Sequence, residues 1–150
     1  MIVIAIFLLA CAVWVGAIVF HSAIVAPSVF ATLDAARASA LLRTLFPRFF
    51  RLGLVCGGIM AVALLLQAGL SVWTPALTML AVLTVSMSAL EGLSLWLVPK
   101  INAARDAGAA GTARFASLHR LSVLLTVAIL LLGVAVLAIV GLSAGLGVGR

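Results

Sequence analysis

The chain has 150 residues, 67% of them hydrophobic and 8% charged, with a net charge of +6 at pH 7. Its mean hydropathy is +1.45, whereas a soluble domain carries about a quarter charged residues, so this sequence cannot cover a globule with polar surface. Nor can it bury such helices in a large soluble core, which a chain of this length does not build; apolar runs of about 20 residues then mean membrane spans.

Met1–Leu33 carries no Asp, Glu, Lys or Arg. It predicts a first helix over about 3–30. A cleaved signal would begin with a positive n-region, which is missing here. The stretch "LLAC" at Leu8–Cys11 resembles a lipoprotein cleavage site, but the apolar run before it is too short. His21 lies six residues before Pro27 in this helix.

Asp34 can cap a short helix, "DAARASALLRTLF", with Leu41, Leu42, Leu45 and Phe46 on one face and Arg37 and Arg43 on the other. Such a helix would lie on the membrane surface, and Pro47 would open or kink the next one. The uncharged run Leu52–Leu90 is too long for one crossing of a hydrocarbon core of about 30 Å at 1.5 Å rise per residue. It contains "SVWTP" at Ser71–Pro75, with polar Ser71 and Thr74, interfacial Trp73 and helix-starting Pro75. The turn belongs there, giving helices over about 50–70 and 76–98. The segment 99–119, "PKINAARDAGAAGTARFASLH", reads as a small, flexible loop broken at Gly108 and Gly111. Leu121–Gly149 is again uncharged and predicts a fourth helix over about 120–142. The expectation is an all-α membrane protein: one domain over 1–150, four transmembrane helices in an up-down bundle, and a short amphipathic cytoplasmic helix between helices one and two.

Arg37, Arg43, Arg48 and Arg51 flank the first connection, and Lys100, Arg105, Arg114 and Arg120 flank the third. The hairpin at 71–75 has no basic residue, and Arg150 stands alone at the carboxyl end. The positive-inside rule places loops 31–49 and 99–119 in the cytoplasm and both termini outside. The charge also attracts an anionic inner leaflet. A nucleic-acid partner is not expected, because the basic residues flank spans and no stacking aromatic platform accompanies them.

Cys11 and Cys56 fall at different depths, so no disulfide between them is expected, and both read as small packing residues. Gly53 with Gly57, Gly141 with Gly145, and Ser88 with Gly92 are small-xxx-small pairs. They allow close helix approach either within one bundle or across a homo-oligomer.

Glu91 lies eight residues before Pro99, about 12 Å from the helix end by helical rise. An intramembrane carboxylate is costly and marks a functional hypothesis. His21, Glu91 and His119 all fall in the inner half of the membrane and form a candidate polar site. Three readings are open. Glu91 ties helices together, through a hydrogen bond or an ion pair with Arg120 or Arg51. Alternatively, His21 and Glu91, with His119 or Cys56, line a cavity that passes a proton, ion or small solute. Or they bind a metal or haem, although no HxxxH or CxxC spacing supports that. No nucleophile elbow, paired catalytic carboxylates or phosphate loop points to an enzyme, and no cofactor is expected.

The stretches "WVGAIVFHSAIVAPSVF" (14–30), "LFPRFF" (45–50), "LWLVPKINAAR" (95–105) and "RFASLHRLSVLL" (114–125) resemble, in that order, the motifs of the transmembrane protein 205-like family. Its bacterial members are described as a domain of unknown function. The resemblance covers nearly the whole chain and points to Trp14, Gly16, Pro27, Phe46, Pro47, Phe50, Pro99, Phe115, His119 and Ser122. The family often has an asparagine near the position of Thr126, and this chain does not. The resemblance implies a small four-helix membrane protein of a family without an established activity, in which a vertebrate relative's handling of a platinum drug points to transport or trafficking. A more distant likeness is to copper-resistance-D-like membrane bundles and their haem-associated relatives. Together these make small-solute or metal handling the leading expectation, with a structural or partner-binding subunit as its rival. The motifs gather at the basic ends of the helices, which makes that end either a structural latch or the mouth of a site.

Overall fold

A computed structural model describes residues 1–147, with side chains over 1–142. Arg150 and the surroundings of Gly145 lie outside the described residues. The described chain is helical almost throughout, without strands. Helix α1 covers Ile2–Thr32, α2 Ala35–Leu70, α3 Pro75–Asp106 and α4 Thr112–Gly147. All four are long and apolar enough to cross a membrane. Each packs on the next, and α4 closes onto α1, so the helices form an up-down ring. This is the all-α, four-helix membrane bundle that the charge-free runs predict.

The connections are much shorter than expected. Loop 31–49 contracts to Leu33 and Asp34. Asp34 caps α2, its carboxylate accepting the Arg37 backbone N–H at 2.9 Å. The amphipathic segment forms as predicted, but it runs through Pro47 into the second span as one 36-residue helix. Proline removes one i→i−4 hydrogen bond, and membrane helices tolerate that where neighbouring groups compensate. The same happens at Pro99, inside α3. The supposed flexible loop 99–119 is therefore mostly helix. Its only break is Ala107 and a short 3-10 turn over Gly108–Gly111. Gly108 has φ +57°, a left-handed conformation that favours glycine. Gly111 packs directly against the Ala104 carbonyl, where a Cβ would collide with backbone.

The turn at 71–74 falls where the sequence places it. Thr74 caps α3, its hydroxyl accepting the Leu77 backbone N–H at 3.3 Å, and Pro75 occupies the first turn. Trp73 Nε1 donates to Thr78 Oγ1 at 2.7 Å.

The core runs along the bundle axis through Phe7, Cys11, Trp14, Ile18, Met60, Met87, Ile129 and Val136. Outside it, large apolar side chains such as Leu65 (70% exposed) and Leu131 (64%) face outward along the spans, as lipid contact requires. Because lipid is as apolar as the core, close packing supplies the helix association. Gly53 and Gly57 serve it inside the bundle: a Cβ on Gly53 would stand 2.6 Å from Trp14 Nε1, and one on Gly57 would meet Ser88. Gly133, which the sequence reading does not single out, does the same for α4 against Val15 of α1. Gly92 and Gly141 face open space.

Helix α1 changes register near its end. At His21–Val25 it is π-helical, the Ala26 N–H donating to the His21 carbonyl five residues back. Pro27 follows at once and has no N–H to give, so the ladder slips by one residue where a normal bond cannot form. Beyond this point α1 leans only on α2, and no Cα of residues 21–32 lies within 8 Å of one in α4.

Candidate functional site

The eight basic residues among the described ones gather at one end of the bundle, because the chain reverses at each connection. At this basic end the four helices enclose a cavity of about 370 Å³. Each helix contributes one face. From α2 come Arg43, Phe46, Phe49 and Phe50, at helical spacing, and from α3 Val98, Ile101, Asn102 and Arg105. From α4 come Phe115, His119, Ser122 and Thr126, at steps of four, three and four. The end of α1 supplies His21, Ser22, Ala26 and Phe30. The cavity exists because the π-helical stretch and Pro27 leave the end of α1 without contact to the start of α4.

Aromatic rings build the walls. His21 is 8% exposed, stacks on Phe49 with centroids 4.8 Å apart, and meets Phe46 edge-on at 5.1 Å. His119 lies parallel to Phe115 at 5.7 Å. The Arg105 guanidinium sits 4.7 Å over the other partner of that stack, Phe115, and donates to Ser39 Oγ at 2.9 Å. Among the described residues neither imidazole nor the Asn102 amide has a hydrogen-bond partner.

The lining is cationic, with no carboxylate on it. Arg43 is matched from outside by Asp106, the last residue of α3, in a two-pronged pair whose Nη1–Oδ2 distance is 3.0 Å. Asp106 stands at the end of a 32-residue helix, about 48 Å long against a hydrocarbon core of about 30 Å, and lies outside the membrane-spanning part. Hydrogen bonding from Arg43 lowers its carboxyl below the usual range. Arg105 makes no ion pair among the described residues.

The three residues of the candidate polar site are thus divided. His21 and His119 line one cavity, and Glu91 does not. Glu91 is 1% exposed and lies deeper, where α3 meets Gly53 of α2 and Trp14 of α1. Its Oε1 and the Trp14 Nε1–H are both buried against that glycine, and neither closes a hydrogen bond of normal geometry. No ion pair joins Glu91 to Arg51 or Arg120, which are exposed. Cys56 is buried and free, as is Cys11, whose thiol points to the Gly133 carbonyl at 3.6 Å. No three His, Cys, Asp or Glu side chains among the described residues converge as a metal ion would need.

Of the positions marked by family resemblance, Phe46, Phe50, Phe115, His119 and Ser122 line the cavity. Trp14 belongs to the core beside Glu91. Pro27, Pro47 and Pro99 lie within helices whose neighbouring residues form the walls, and Gly16 has open space around its Cα. Thr126 lines the cavity too, its hydroxyl bonded back to the Ser122 carbonyl at 3.0 Å. The sequence reading missed Phe49, Asn102 and Arg105 as cavity residues. The i, i+3 spacing of Phe46 with Phe49 and of Asn102 with Arg105 was the available signal, once the loops are read as helix.

No curated protein and no solved structure matches this chain. A family described as a domain of unknown function, DUF4149, matches residues 9–110. That stretch carries the first three spans, the π-helical turn of α1 and three of the four cavity walls, and the chain is a member of the DUF4149 family.

Proposed function

We propose that this integral membrane protein binds a small solute in the cavity at its basic end and handles it within or across the membrane. One observation carries the reading. Two histidines, two arginines and an asparagine share an aromatic-walled cavity of about 370 Å³, within the size range of ligand pockets of about 300–1,000 Å³. Neither imidazole nor the Asn102 amide is taken up by a hydrogen bond to another described residue, which leaves them available to an occupant of the cavity. The resemblance to the transmembrane protein 205-like family supports the same end, since half of the positions it marks line this cavity. The positive-inside rule puts the basic end, and the mouth of the site, in the cytoplasm of a bacterial inner membrane, with both termini outside. Metal handling has less support, because the two histidines have no third ligand of their kind beside them among the described residues.

Thermal unfolding of the purified protein against a panel of small carboxylates, phosphates, amines, amphiphiles and Zn²⁺ or Cu²⁺ tests this. A bound solute raises Tm in proportion to its saturation, and the shift disappears in the His21→Ala/His119→Ala variant. If nothing in the panel at millimolar concentration moves Tm, the protein is a structural or partner-binding subunit instead.

A further inference from the structure

Besides its mouth at the basic end, the cavity has a seam along the bundle between α1 and α4. Residues 21–32 of α1 make no close approach to α4. The seam between these helices is flanked by Phe30 (62% exposed), Val123 (47%) and Val127 (46%), all of which also line the cavity. Of the exposed lining residues, Phe30, Val123 and Val127 are large and apolar, and Ser22 and His119 are polar.

The interior is graded along the bundle axis. On α4 the lining runs from Phe115 to Val127, about 18 Å by helical rise. The two arginines sit at the outer level, with the polar Asn102 and His119 and the apolar Ile101 and Phe115 beside them. Phe46, Phe49, Phe50, Val98 and Val127 lie further in, with His21 held against two of the phenylalanines. Of the two arginines, Arg43 is paired with Asp106, whose one carboxylate also feels the charge of Arg105, so two cations share a single anion and Arg105 forms no ion pair of its own among the described residues. An occupant should therefore be anionic at the outer level and apolar below it. The volume is too small for a whole two-chain lipid, so the remainder of the molecule would stay in the bilayer beyond the seam.

We propose that the cavity is entered sideways between α1 and α4 and takes the head and first chain carbons of an anionic lipid, with Arg105, His119 and Asn102 around the head. This rests on the solute-binding reading and names its ligand class and route.

Native mass spectrometry of the protein released from mixed vesicles tests it. The probes are dioleoyl phosphatidylglycerol, dioleoyl phosphatidylcholine with the same chains, and the soluble anion glycerol 3-phosphate. The expected result is a single adduct retaining phosphatidylglycerol about tenfold over phosphatidylcholine, the scale of a hydrogen bond to a charged group. Arg105→Gln removes the preference. Arg114→Gln, exposed and off the cavity, leaves it. Val127→Trp, which fills the seam and keeps every charge, lowers retention of the adduct about as far as Arg105→Gln.

Equal retention of the two lipids overturns the proposal. So does an equal loss in the Arg105 and Arg114 variants, which would mean surface attraction alone. Tight binding of glycerol 3-phosphate, unaffected by Val127→Trp, would also overturn the lipid route, yet leave solute binding standing. Absence of any cavity adduct, together with no Tm shift in the panel, would remove both.

Discussion

Glu91 and Trp14 place a carboxyl oxygen and an indole N–H in the apolar middle of the bundle, each without a partner of normal geometry. The two groups face each other without closing a well-formed bond, so they recover only part of their desolvation cost, and an apolar replacement of similar shape is often neutral or better. Glu91→Met should therefore fold and match or exceed the wild type in detergent stability, by up to about 1 kcal/mol. A loss above about 2 kcal/mol in reversible unfolding would show that the carboxyl is a strong tie after all. Because Glu91 is off the cavity, Glu91→Gln should leave ligand retention unchanged. Gly53 is the opposite case. A methyl there must displace the Glu91 carboxyl and the Trp14 indole at once, both fully buried. Gly53→Ala should cost about 1–3 kcal/mol, the usual range for overpacking; unfolding within about 0.5 kcal/mol of wild type would contradict the packing described. The sequence identifies Glu91 as unusual and Gly53 as a close-packing residue. It does not show that they touch, because contact between α2 and α3 depends on the rotation of both helices.

At the level of helices, the connections were the least legible part. Pro47 and Pro99 read in the sequence as helix boundaries, but a proline in a membrane helix loses one bond and keeps the rest, whereas the glycine break expected at Gly108 and Gly111 is where the chain turns. Loop 31–49 and loop 99–119 became helix for this reason, and three cavity walls were extended with them. Gly111 is a true break, pressed on the Ala104 carbonyl. Gly111→Ala should open the α3–α4 turn and cost about 1–3 kcal/mol, whereas Ala109→Ser, exposed in the same turn, should be silent in the same unfolding assay. The Arg43–Asp106 pair ties α2 to α3 just beyond the membrane. Its carboxyl titrates below the ordinary value, so its stabilisation is complete above the unfolded-state range of about 4 and is lost as pH falls through the lower folded value. A double-mutant cycle with Arg43→Gln and Asp106→Asn should show coupling at pH 7 and pH 5 and none well below pH 3. Coupling unchanged at acid pH would mean the pair acts through packing rather than charge.

For the whole molecule, charge spacing carries the long apolar runs and the concentration of arginine at one end, and the residues Ser71–Pro75 place the hairpin that divides the middle run into two spans. The cavity was only partly legible. His21 and His119 line it, whereas Glu91, expected at the same depth, does not; the seam depends on a one-residue slip in the ladder of α1, for which Pro27 is a signal without saying whether the helix kinks, stops or slips there. The orientation has a direct check. Cys11 and Cys56 are buried, so a single exposed cysteine dominates labelling. With an impermeant thiol reagent, Val72→Cys should react in intact spheroplasts and Ala110→Cys only after permeabilisation. The reverse pattern would invert the bundle and move the cavity mouth to the other side.

The chain contains three tryptophans and no tyrosine. They stand at three levels: Trp73 in the hairpin, Trp14 in the core at 1% exposure, and Trp96 facing outward one turn below Lys100, whose Nζ rests 3.8 Å over its ring. The near-ultraviolet emission of the protein is thus the sum of three indoles, one at an interface, one sealed from solvent and one against lipid. Single-tryptophan versions made with phenylalanine at the other two positions would turn the protein into its own depth gauge, read by quenchers placed at known positions along the acyl chain.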